Sequence, residues 1–157
     1  MRNSSLVKWF CAENVTGLKP ATEASDSGGQ KSEVRMPEEK MIKTYKDLEV
    51  YQEGYRLAIG LYKLLTQLPA SAYELVKQTK KASISIPLNI AEGYGKKDSV
   101  AEFKRFLRMS AGSVNEVEVL LEMLKDLEYI DYSTYEEYIA AYKVLGKRIS
   151  VMLSKWN

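Results

Sequence analysis

The run Gly93-Tyr94-Gly95-Lys96-Lys97-Asp98-Ser99 has the residue types to hold a phosphate. Its glycines expose backbone amides beside two lysines, and Ser99 opens a helix whose N-terminus carries partial positive charge. The spacing is not GxxxxGK[ST], and a helical pattern precedes it instead of a strand, so it is no nucleotide P-loop. Two readings stay open: a plain connection between helices, and a sequence-blind polyanion contact. Just upstream, Asn89 and Glu92 are polar groups near Pro87. A proline inside a helix frees a backbone carbonyl, and an amide donor is the usual remedy, so their expected role is structural. Glu102 and Glu116 are 14 residues apart, about 21 Å along one helix, which is too far for joint acid/base work. Glu102 is expected as a cap, and Glu116 as a pair across an interface. The chain has no histidine and one cysteine, Cys11. No usual zinc set and no disulfide framework can form within it, and His-based catalysis is excluded. No cofactor, metal or catalytic residue is expected.

Net charge is only +2, but it is unevenly spread. Lys77, Lys80, Lys81, Lys96, Lys97, Lys104, Arg105 and Arg108 face only Glu92, Asp98 and Glu102 in their block, a local +5. Eight acidic residues lie between Glu116 and Glu137, against Lys125 alone, a local −7. The basic block is either a polyanion-binding face or a patch that docks on the acidic block of a neighbour. Two solvated helix faces are the plainer reading. Most of the 11 tyrosines lie at helical spacing and are expected in the core. Tyr94, in the basic run, is the exception that could stack on a base.

The elements that must position these residues are helical. Residues 1–43 read as a tail, disordered or non-native, because 22–39 are rich in Ser, Gly, Glu and Lys. Met36 and Met41 offer later natural starts. Residues 44–157 hold four helices, over about 45–65, 72–91, 100–127 and 134–156. Ser71-x-x-Glu74, Ser99-x-x-Glu102 and Ser133-x-x-Glu136 read as capping boxes, and Thr44-x-x-Asp47 as a weaker one. Pro87 predicts a kink or break in the second helix, and Gly93 its C-cap.

The first helix carries Leu48, Tyr51, Tyr55, Ile59 and Tyr62 on one stripe, and Leu57, Leu61, Leu64 and Leu68 on another. The second carries Leu75, Thr79, Ala82, Ile86 and Ile90 on one stripe and Ile84, Leu88 and Ala91 on another. The third repeats at Phe103, Leu107, Ser110, Val114, Val117, Leu121 and Leu124, with a second stripe through Phe106, Met109, Ser113, Glu116, Leu120, Met123 and Leu127. The fourth repeats at Tyr135, Tyr138, Tyr142, Leu145, Ile149, Met152 and Trp156. Gly112 sits in a small-residue run that predicts close approach of another helix, within the bundle or between protomers. Sustained seven-residue spacing with short connections specifies an all-α, antiparallel up-down-up-down four-helix bundle. Second stripes on three helices exceed what one bundle need bury, which predicts a homo-oligomer.

From Tyr45 onward the chain resembles the four-helix-bundle proteins encoded within intervening sequences of bacterial 23S ribosomal RNA genes. The resemblance is carried by residues 47–52 (DLEVYQ), 83–95 (SISIPLNIAEGYG), Glu102-Phe103-x-x-Phe106-Leu107 and Gly112-Ser113-x-x-Glu116. Tyr51 stands where the family often has tryptophan, and Lys80-Lys81 where arginines are frequent. Members are similar in fold to the accessory protein of diversity-generating retroelements, a basic ring-forming bundle that works with a reverse transcriptase and RNA. The resemblance implies a pentamer-like ring without catalytic residues, and does not imply a ribosomal component.

The expected function is a non-catalytic bundle that binds RNA as an oligomer through Lys77, Lys80, Lys81, Tyr94, Lys96, Lys97, Lys104 and Arg105. The alternative is a self-assembling scaffold or adaptor for a protein partner such as a reverse transcriptase. No run is long enough to span a membrane, and a cytoplasmic protein is the expectation.

Overall fold

The structure is a computed structural model that describes residues 42–156. The expectations for residues 1–43 lie almost wholly outside the described residues. Four helices, α1 Glu49–Leu65, α2 Tyr73–Tyr94, α3 Val100–Asp126 and α4 Tyr132–Lys155, form an antiparallel four-helix bundle with no strand among the described residues. Short 3-10 turns at Tyr45–Asp47 and Ala70–Ala72 lead into α1 and α2. Neighbours pack as α1 on α2, α2 on α3, α3 on α4 and α4 back on α1, so the helices stand at the corners of a square.

The ends follow local chemistry, though not always at the expected residue. Thr44 and Asp47 make a complete capping box, with Asp47 Oδ2 accepting from the Thr44 amide at 2.8 Å. At α3, Ser99 Oγ accepts from the Glu102 amide, but the Glu102 carboxylate turns to Arg105, so only half a box forms. The box expected at Ser71 is absent: Pro69 starts a 3-10 turn, and α2 begins without a side-chain cap. The box expected at Ser133 is replaced by Asp131, whose Oδ1 accepts from the Thr134 amide at 2.7 Å. That bond holds the Asp131 carboxyl below its ordinary pKa. The end of α3 is a Schellman turn, with Tyr129 N donating to the Leu124 carbonyl and Glu128 N to that of Lys125. Glu128 accepts φ 59 there, the left-handed position usually given to glycine.

The proline does not break its helix. α2 continues through Pro87 from Tyr73 to Tyr94, so any bend lies within one uninterrupted element. Pro87 withholds an amide from the Ser83 carbonyl. Asn89 Nδ2 donates to the Ser85 carbonyl at 2.8 Å, and from α3 Ser110 Oγ donates to that of Ile86 at 3.2 Å. Asn89 thus supports the backbone beside the proline, two residues beyond the carbonyl the proline frees.

Gly93 is likewise not a cap, since the helix passes through it and ends at Gly95 in ordinary helical geometry. A Cβ at Gly93 would stand 2.6 Å from Phe106 Cβ and 2.9 Å from Phe103 Cδ2. Glycine is there because α3 comes that close. Gly112 shows the opposite: among the described residues nothing beyond its own stretch of helix comes within 4 Å of where its Cβ would be, so no other helix of the bundle presses on it.

The core runs the length of the square through Leu61, Ile86, Ile90, Phe103, Leu107, Leu121, Leu124, Tyr142, Leu145 and Ile149, all sealed from solvent. Within it the Tyr142 hydroxyl has no hydrogen-bond partner among the described residues, and burial pushes its pKa far above the ordinary phenol value. An unpaired buried hydroxyl costs about 1–3 kcal/mol. Tyr142→Phe removes that cost without opening a cavity, so urea unfolding should show the variant about 1 kcal/mol more stable. A destabilised variant would mean that the hydroxyl has a partner after all.

Candidate nucleic-acid interface

The bundle divides the expected basic block in two. In an up-down-up-down square the connection 95–99 lies at one end, and the connections 66–72 and 127–131 share the other. Lys96 and Lys97 therefore project at the first end, with Lys104, Arg105 and Arg108 on the first turns of α3. Lys77, Lys80 and Lys81 lie toward the opposite end of α2. Lys81 and Lys96 are about 22 Å apart along the helix at about 1.5 Å per residue.

At the first end the cations are anchored rather than loose. Lys96 Nζ sits 3.4 Å from Glu92 Oε1 and 4.6 Å from the centre of the Phe106 ring. Arg105 grips Glu102 with two bonds, Nε to Oε1 at 3.3 Å and Nη2 to Oε2 at 3.1 Å, and lies over the same ring at 4.5 Å. The Arg105 bond lowers the Glu102 pKa. Lys97 Nζ donates to the Tyr94 hydroxyl at 3.1 Å. Tyr94 itself corrects an expectation: it closes α2, is only 7 % exposed, and packs edge-on against Phe103. Its hydroxyl donates to the Ile42 carbonyl at 3.3 Å. No base can stack on that ring. Phe103 is core, and Glu116 is exposed with no ion pair among the described residues.

Topology adds cations that spacing did not reveal. Lys147, Arg148 and Lys155 on the last turns of α4, and Lys43 and Lys46 before α1, reach the same end. Over residues 42–54, 92–108 and 146–156 there are ten basic residues and six acidic, a net of +4. Over 61–83 and 114–137 there are five basic and nine acidic, a net of −4. The polarity is axial because the antiparallel order brings sequence-distant segments to one end, so it is carried by bundle ends and not by sequence blocks.

The apolar stripes are resolved as well. Val50, Leu57, Leu61 and Leu65 of α1 face the core, while Tyr55, Ile59 and Tyr62 face out, so the stripe placed first in the sequence is buried at Leu48, half-buried at Tyr51 and turned to solvent from Tyr55 on. On α2, Ile84 and Leu88 point outward, Leu88 being 62 % exposed. On α3 and its C-cap the outward residues include Met109, Val119, Met123 and Leu127, with Gly112 open among them. Lys80 Nζ lies 4.2 Å from the centre of the Tyr62 ring, across the α1/α2 seam. Among the described residues no group of His, Cys, Asp and Glu could hold a metal ion, and no helix is long and apolar enough to cross a membrane.

Residues 46–151 match the model of a protein family described as 23S rRNA-intervening sequence protein. Among solved structures the chain is similar to a protein of unknown function from the S23 ribosomal protein family of Bacteroides thetaiotaomicron. The two superpose with a TM-score of 0.63 at 25 % identity, over 68 % of this chain and 96 % of that one. No curated protein matches the chain.

Proposed function

The chain belongs to the family of 23S rRNA-intervening sequence proteins, and from that premise we propose a non-catalytic, self-assembling bundle that binds RNA backbone at its basic end. The reading is carried by the open apolar surface of α1, α2 and α3, where Tyr55, Ile59, Tyr62, Ile84, Leu88 and Met109 are each at least 38 % exposed. Apolar patches of this kind on a bundle with a complete core mark contact surfaces. Copies packed side by side would cover them and leave the ends free. Each added copy then presents another +4 end, and repeated weak phosphate contacts add up through effective concentration. The pairs Lys96–Glu92 and Arg105–Glu102 each span one helical turn and are solvent-exposed, so water screens them and they are weak. Phosphates can displace them at little cost.

A scaffold for a protein partner such as a reverse transcriptase is the second reading. It is favoured by the same two pairs, which leave fewer cations unengaged at rest. The cytoplasm is the compartment that fits both. Light scattering and gel shifts over a salt series test the proposal. Wild type should assemble at micromolar concentration, and Leu88→Glu should dissociate it and weaken RNA binding. Retention should fall steeply with salt. A wild-type monomer at every concentration would remove the assembly, and salt-insensitive or absent RNA binding would leave the scaffold reading.

A further inference from the structure

We propose that the α1/α2 seam of one copy docks onto the α3/α4 seam of the next, with Lys77, Lys80 and Lys81 meeting Glu118, Glu122 and Glu136. The proposal rests on the assembly reading above and names the two surfaces that assembly joins. In the square order α1-α2-α3-α4, the α1/α2 and α3/α4 seams are on opposite sides. Each is marked by a contact across it: Lys80 over the Tyr62 ring at 4.2 Å on one side, and Tyr135 donating to Glu122 Oε1 at 3.4 Å on the other. Both marks lie near connections that share one end of the bundle, so the two patches stand at the same height.

Their charges are opposite, and groups of each set are engaged by tyrosines of their own subunit rather than by ion pairs. Lys80 stands at the α1/α2 seam, Lys77 and Lys81 flank it on the open face of α2, Glu74 is the one acidic residue within 61–83, and none of the three lysines makes an ion pair among the described residues. On the α3/α4 side, Lys125 is already held by Asp126 at 3.1 Å and lies over the Tyr135 ring. Glu118, Glu122 and Glu136 make no ion pair among the described residues. Each side also exposes an aromatic body to bury, Tyr62 and Tyr73 on one and Tyr132 on the other.

Complementary patches on opposite sides of one subunit cannot satisfy each other in a two-fold dimer, because the same surface must then face itself. They pair head to tail, which closes into a ring or continues as a filament. It follows that Lys77, Lys80 and Lys81 are spent on assembly, whereas the basic end stays open.

The test is a charge swap in the full chain, read by light scattering with far-UV circular dichroism as the check on folding. Lys77→Glu/Lys80→Glu/Lys81→Glu should fall to the mass of one chain, 17.9 kDa. So should Glu118→Lys/Glu122→Lys/Glu136→Lys. Both sets combined in one chain should restore the wild-type assembly, because the reversed surfaces again match. Should a reversal cost helix content, the neutral set Lys77→Gln/Lys80→Gln/Lys81→Gln is read instead and should dissociate at higher protein concentration than wild type. An assembly indifferent to these reversals yet broken by Leu88→Glu overturns this pairing and leaves self-assembly standing. Reversed lysines that spare assembly and abolish RNA retention would assign the patch to nucleic acid and also overturn it. A monomeric wild type ends the assembly reading itself.

Discussion

Phe103→Ala should destabilise the bundle by about 3–5 kcal/mol, the usual cost of emptying a sealed aromatic site. Phe103 has no exposed surface and is the pin of the basic end. Its ring packs edge-on against Trp156 of the C-terminal turn at 4.5 Å and against Tyr94 at 6.4 Å, while α2 passes over it at Gly93. The same contact makes Gly93→Ala destabilising. Alanine gains about 1 kcal/mol of helix propensity over glycine. Its methyl, however, meets Phe106 Cβ at 2.6 Å, an atom fixed to the backbone, so the two helices must part. Overpacking of this kind costs about 1–3 kcal/mol, and Phe106 cannot rotate out of the way. Urea midpoints for the two single variants decide it. A Gly93→Ala variant more stable than wild type would mean the close approach is not held in solution.

The helices were legible because each rule behind them is local. Seven-residue spacing identified seven buried positions of α3 from Phe103 to Leu124, and Tyr135, Tyr138, Tyr142, Leu145 and Ile149 did the same for α4, while Phe106 and Leu120 of the second α3 stripe are buried as well. Caps were legible less often, because several hydroxyls and carboxylates compete for one helix start. Asp131 outbids Ser133 by two residues, and Pro69 imposes a 3-10 turn that leaves Ser71 without a cap to make. Gly93 was misread for a related reason. Glycine signals either a left-handed turn or a close approach, and only the facing Phe103 and Phe106 decide which. On α1 two apolar stripes were seen, but nothing in one helix says which of them the other three will cover. Tyr94 looked like part of a basic loop because the helix was expected to stop at Gly93; it continues one residue further and carries the ring inside. The basic end was half legible, since the contribution of Lys147, Arg148 and Lys155 comes from topology rather than from sequence neighbourhood.

Lys96→Glu/Lys97→Glu should weaken RNA retention by at least about tenfold near 0.1 M salt while leaving the assembled mass unchanged. Two cations at the open end become two anions, so two phosphate contacts are lost and the remaining phosphates are repelled. The logarithmic salt slope should shrink by roughly 1.4–1.8, at about 0.7–0.9 per phosphate contact. The fold has little stake in either side chain. Lys96 holds the exposed Glu92, overlies Phe106 and acts on Glu102 only through space, and Lys97 bonds the rim hydroxyl of Tyr94, so the cost in stability should stay near 1 kcal/mol. Lys147→Glu/Lys155→Glu on α4 is the companion measurement, because those residues reach the same end through topology alone. A weakening comparable to that of the loop variant would show that RNA reads the whole end of the bundle. If instead the loop variant falls to monomers, Lys96 and Lys97 belong to the contact between copies and the scaffold reading prevails. Unchanged RNA affinity in both variants would move the nucleic-acid surface away from this end, with the lysines of the α1/α2 seam the next to be tested.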